Sequence, residues 1–165
     1  MRYKALVLAA AAATAAAVGA AVPAAAIPTQ RGSSPLVSWC ARKFDEAQRT
    51  DMESYRDFDK ATWVAGHDDD AITIYSSGAM VQGRDAIAAS QNGHFTNRNA
   101  VWSWTELSRR VEGCRTAVIR YDATYDIPTT GFHQRAVTVV TYIFGRGRWV
   151  GIYDQGTLLE LDPGT

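Results

Sequence analysis

Asp154 is the side chain whose position most needs a reason. It ends the run Trp149-Val150-Gly151-Ile152-Tyr153-Asp154, in which Val150 and Ile152 alternate as the buried residues of a strand should. A carboxylate that shares their side is either paired or chemically active. Two other groups of polar residues invite chemistry. His67-Asp68-Asp69-Asp70 has the residue types of a metal site, but consecutive carboxylates on a loop point in different directions, and a solvated turn before a strand accounts for them. Arg120-Tyr121-Asp122 offers an arginine and a carboxylate two residues apart, on the polar side of a strand, where a surface ion pair is expected. The sequence holds no phosphate-binding glycine loop, no nucleophile elbow, no H-E-x-x-H and no zinc-like cysteine spacing, so no metal and no cofactor is expected.

The elements that must position Asp154 follow from periodicity. Four long strands are predicted at Val101 to Val111, Arg115 to Ile127, Phe132 to Phe144 and Arg148 to Leu159, joined by turns short enough for antiparallel neighbours. In the second, Ala117, Ile119, Tyr121, Ala123 and Tyr125 share one face and Thr116, Arg120, Asp122 and Asp126 the other, so one side is core. The strand Phe132 to Phe144 is partly apolar on both sides, and Trp102 and Trp104 share a face of theirs, which predicts a homodimer through the outer face of the sheet. Upstream, Ser34-Pro35 starts a helix whose stripe is Leu36, Cys40, Phe44 and Ala47. Thr50-Asp51-Met52-Glu53 has capping-box spacing, so a second helix or a kinked continuation is expected there, carrying Met52, Tyr55, Asp59 or Phe58, and Trp63 inward to a stop at Gly66. Ala71 to Tyr75 and Ala79 to Gln82 read as strands, and Gly83 opens a third helix, near whose end His94 is expected to face the helix dipole.

Residues 1–26 have the pattern of a signal peptide: basic Arg2 and Lys4, an apolar run from Ala5 to Ala21, and a small-residue end that predicts cleavage after Ala26 and no retained membrane anchor. Residues 27–34 are a linker and 35–165 one domain, large enough to bury a substantial core. The near-neutral charge, without a basic run, excludes nucleic acid as the expected partner, and 47% hydrophobic residues exclude disorder. A secreted location makes the two cysteines, Cys40 and Cys114, an expected disulfide.

Helix, helix, strand, short strand, helix and four antiparallel strands make an α+β layout: a strongly bent sheet wrapped around about three helices, leaving a cone. Asp69-Asp70-Ala71-Ile72-Thr73-Ile74-Tyr75, Gly83-Arg84-Asp85-Ala86-Ile87 and Trp149 to Asp154 resemble the acidic pair before the first strand, the glycine-led third helix and the aromatic-then-Asp ending of the nuclear transport factor 2-like (NTF2-like, cystatin-like) superfamily, in particular its SnoaL-like and DUF4440-type proteins. That superfamily includes ketosteroid isomerases, polyketide cyclases, scytalone dehydratase and limonene-type epoxide hydrolases. The resemblance implies a deep apolar cavity holding carboxylates, in which a raised carboxyl pKa lets the acid take or give a proton. It matches Asp154 to the last-strand acid of cyclase-like and epoxide-hydrolase-like members. His133 matches only by lying on the preceding strand. The isomerase tyrosine of the first helix has no clear equivalent, because Trp39, Cys40 and Phe44 occupy that stripe and Tyr55 comes later.

Two functions are therefore expected. One is a secreted pocket domain that binds a small apolar molecule. The other is an enzyme of the isomerase, cyclase or hydrolase type, with Asp154 as general base, His133 as its partner, and Tyr55, Trp63, Tyr121 and Tyr142 lining the cone. A cavity of roughly 300 Å³ or more, with Asp154 and a second titratable group facing it, favours the enzyme.

Overall fold

The computed structural model describes residues 34–164, so the expected signal segment lies outside the described residues. Ser34 starts the first helix by accepting a hydrogen bond from the Val37 N–H at 3.3 Å, with Pro35 next, where no donor is needed. Helix α1 then runs unbroken over Pro35–Arg56. The expected restart at Thr50 does not occur: no glycine or proline interrupts α1, and Thr50 is an exposed mid-helix residue. The break comes at Phe58, whose φ of 59° turns the chain into α2 (Lys60–Ala65), capped by Asp59 through the Thr62 N–H at 3.1 Å.

Strands β1 (His67–Ile74) and β2 (Met80–Gln82), helices α3 (Arg84–Ser90) and α4 (Asn92–Thr96), and strands β3 (Val101–Glu112), β4 (Thr116–Ile127), β5 (Phe132–Gly145) and β6 (Arg148–Asp162) complete the chain. The six strands form one open sheet in the order β2-β1-β6-β5-β4-β3, antiparallel throughout except that β1 lies parallel to β6. This is the α+β cone, a curved sheet with helices on its inner face. The parallel pair arises because α3, α4 and β3 to β5 intervene between β1 and β6, the kind of long connection that parallel pairing needs.

Two apolar clusters hold the helices to the sheet. Cys40, Phe44 and Met52 of α1 pack on Ala117, Ile119 and Tyr121 of β4, Val140 and Tyr142 of β5, and Trp149 of β6. Phe44 meets Tyr142 and Trp149 edge-on, with ring centroids 5.3 and 5.4 Å away, and the Trp149 indole N–H donates to the Cys40 carbonyl at 3.0 Å. The second cluster joins Trp63, Ala71, Ile87 and Phe95. Cys40 and Cys114 are bonded, which ties α1 to the β3–β4 turn and is compatible with an extracellular protein. Closing that loop of 74 residues stabilises the fold by about 4 kcal/mol in the chain-entropy model.

Residues paired across an antiparallel ladder share a face. Trp102 pairs with Tyr125 and Trp104 with Ala123, so both tryptophans sit on the helix-covered side, Trp102 against Tyr55 at 5.4 Å. Contrary to the expectation above, they do not belong to an outer dimer surface. Apolar residues on the outer face include instead half-buried Val118 on β4 and Val137, Val139 and Ile143 on β5.

Candidate functional site

The cone encloses a cavity of about 420 Å³. Its wall takes Asp51, Met52 and Tyr55 from α1, Trp63 from α2, His67 and Thr73 from β1, His94 from α4, Trp102 from β3, Tyr125 from β4, alternate residues from Phe132 to Val140 on β5, and Asp154 from β6. Among the described residues no lysine or arginine contributes to it.

Asp154 reaches the cavity by a different route from the one its sequence suggests. Thr141 pairs with Tyr153 but Tyr142 with Gly151, which leaves Ile152 as an extra, bulged residue. The bulge switches the parity of the strand. Asp154, opposite Val140, therefore shares the inner side with Gly151 and Trp149, whereas Val150, opposite Ile143, lies on the other face. A register without the bulge would have put Asp154 and Trp149 on opposite sides.

The Asp154 carboxylate forms no hydrogen bond or ion pair among the described residues, and its Oδ1 is sealed from solvent without a partner. Burial, and then the negative charge of Asp51, push its pKa from an ordinary 3.8 up to about 7. Asp51 receives the Tyr142 hydroxyl on Oδ2 at 2.7 Å, while its Oδ1 is also sealed and unpartnered. Two carboxylates thus face one cavity, and three of their four oxygens have no hydrogen-bond partner among the described residues. Such a pair can hold and move a proton.

A histidine cluster forms a second part of the wall. His94 Nε2 lies 2.7 Å from the Tyr55 carbonyl, which can only accept, so Nε2 carries the proton. Nδ1 of the neutral ring then accepts from the Tyr125 hydroxyl at 3.2 Å. Burial lowers the His94 pKa, only partly offset by the bond to Tyr55. The ring stacks on Tyr55 with centroids 3.7 Å apart and planes 7° from parallel. Contrary to expectation, His94 does not serve the end of its own helix; it satisfies a last-turn carbonyl of α1, because α4 packs across that end. The Tyr55 hydroxyl donates to Gln91 at 2.8 Å, and burial raises its pKa well above the ordinary value.

Of the residues expected at the site, Asp154, Tyr55 and Trp63 line the cavity. His133 does not. It pairs with Asp162 and Asp126 across the sheet, on the outer face, and its Nδ1 bonds the Asp126 carboxylate at 2.6 Å. Even-numbered β5 residues point inward, so an odd-numbered one cannot meet Asp154. Tyr121 and Tyr142 face inward but are 1% and 2% exposed in the packed core, where their rings fill the space under α1. Asp122 does not pair with Arg120; it holds Arg135 bidentately at 2.7 and 2.9 Å, because Arg135 lies one strand away on the same face. His67 to Asp70 is strand, not loop: His67 lines the cavity with Nδ1 donating to the Trp63 carbonyl at 2.9 Å, and Asp69 pairs with Arg84.

The sequence reading missed Asp51, His94, Trp102 and Tyr125 as site residues. Asp51 carried a usable signal: continuing the stripe Cys40, Phe44, Ala47 by steps of four reaches Asp51 and then Tyr55.

No family model and no curated protein matches the chain. Among solved structures, an NTF2-like protein of unknown function from Pseudomonas putida superposes with a TM-score of 0.64 at 16% identity, over 73% of this chain and 87% of that one. A cystatin-like domain of unknown function from Nostoc punctiforme gives 0.63 at 13%, over 74% and 79%. A provisionally assigned scytalone dehydratase from Novosphingobium aromaticivorans gives 0.63 at 12%, over 76% and 87%. The chain has the NTF2-like, cystatin-like fold.

Proposed function

We propose that this protein is a secreted domain whose cone binds one small, largely apolar molecule. The observation that carries this is the 420 Å³ cavity, walled by aromatic rings and holding an unpaired carboxylate. A volume of that size suits a small ligand. The neutral fluorophore N-phenyl-1-naphthylamine tests it: the wild type binds with enhanced emission, and Ala136→Phe, which fills the wall at a buried position, loses binding while keeping its circular dichroism. Equal binding by both proteins overturns the reading.

A second reading, proton transfer on the bound molecule, is favoured by Asp154 itself. Its carboxyl is poised near neutrality by burial and by Asp51, so it can accept a proton from a carbon acid or a hydroxyl and return it. Its companions in this role are Asp51 and His94, which share the cavity, in place of His133. The fold likeness to a provisionally assigned dehydratase is consistent with such chemistry. Export through residues 1–26 and association of two copies through the outer β5 face belong to the same proposal.

A further inference from the structure

The hydrogen-bonding groups of the cavity are uneven in kind. The hydroxyls of Tyr55 and Tyr125 and the ring N–H groups of His67 and His94 are all used within the wall. The Tyr142 hydroxyl is held by Asp51. Among the described residues the groups left over are mostly acceptors: Asp154 has no partner and Asp51 Oδ1 has none, against one sealed donor, the Trp102 indole N–H. Both residues line the cavity, no described lysine or arginine does, and the rings of Tyr55, Trp63, Trp102 and Tyr125 stand around it. Carboxylates without a counter-cation, beside aromatic faces whose π-clouds are negative, favour a positively charged guest. A neutral alcohol could give one hydrogen bond but would leave the two acids repelling each other; a carboxylate guest would add a third negative group.

We propose that the ligand of this cavity is a hydrophobic amine, bound as its ammonium ion with N–H groups on Asp154 and Asp51 and its apolar body against the aromatic wall. The proposal rests on the pocket reading above and names the ligand class for it. It also accounts for an otherwise costly arrangement, since buried polar atoms are rarely left unpaired, and one ammonium group has donors enough for both sealed acids.

Matched probes separate the ideas. Tryptamine with its alcohol analogue tryptophol, and octylamine with octanol, are titrated calorimetrically into the disulfide-bonded protein at pH 8. Each amine is expected to bind at least tenfold tighter than its alcohol, and Asp154→Asn to remove that preference while retaining alcohol binding, which shows that the variant is folded. Alcohols that bind as tightly as the amines overturn the amine proposal and leave the pocket reading standing. So does an amine preference that survives in both Asp154→Asn and Asp51→Asn. If neither amines nor alcohols bind, the pocket reading fails and the amine proposal with it.

Discussion

Replacing Asp154 by asparagine should stabilise the protein at neutral and alkaline pH, and the effect should disappear in acid. With a folded pKa of about 7 against an ordinary 3.8, the native state keeps a proton that the unfolded chain releases between those values. The unfolded state then binds fewer protons, so native stability falls as pH rises across that window and levels off above about 7. The full difference corresponds to about 4 kcal/mol. Asp154 is only half-buried against the cavity, and the asparagine amide also needs a partner, so the expected net gain at pH 8 is about 1–3 kcal/mol. Below about pH 4 both states hold the proton and the gain vanishes. His94 titrates in the opposite sense: its lowered pKa makes stability fall as pH drops below the usual histidine range, but equally in both proteins. The assay is urea unfolding of both, disulfide intact, followed by tryptophan fluorescence at pH 5 and pH 8. A variant less stable than the wild type at pH 8, or a stability difference that does not grow between the two pH values, would refute a raised Asp154 pKa and mark the acid as structurally paired.

Tyr142→Phe removes the donor that Asp51 Oδ2 receives and should cost about 1–3 kcal/mol of unfolding free energy in the same urea assay. Replacing Cys40 and Cys114 together by serine should lower stability by about 4 kcal/mol, and alkylation of the unreduced wild type should leave its intact mass unchanged. On the secreted protein, N-terminal sequencing should begin at Ile27, and light scattering should give twice the mass of one mature chain. Val139→Arg, on the outer face, should return a single-chain mass without loss of helical signal.

The architecture was legible because it depends on patterns that survive averaging. Alternation in β4 marked Ala117, Ile119, Tyr121 and Ala123 as inward, and all four are buried. Glycine-containing turns marked the ends of the long strands to within a few residues, and a pair of cysteines downstream of an expected signal segment marked the disulfide. The site was less legible because its members come from α1, α2, α4 and five of the strands, and only the three-dimensional packing brings them together. His94 could be given a role from its position near a helix end, but whose end it serves is decided by how α4 lies across α1. Trp102 and Trp104 could be placed on a common face, but which face is inner depends on the pairing of β3 with β4.

Asp154 and Asp51 show how far a residue pattern carries before geometry must take over. The inference that Asp154 faces the core rested on its sharing a side with Val150 and Ile152; the bulge at Ile152 breaks that parity, and the acid is inward because it pairs with Val140. Two errors cancelled: Val150 is buried, but on the other face, and one inserted residue moved Asp154 across. For Asp51 a local rule misled. Thr50-x-x-Glu53 has the spacing of a capping box, yet a capping box requires a helix to begin there, and with no breaker between Leu36 and Arg56 nothing ends the preceding one. Once α1 is read as continuous, Asp51 falls on its buried stripe one turn before Tyr55. Its charge then meets Asp154 across the cavity instead of solvent, and the two acids become a single electrostatic unit whose character neither segment alone discloses.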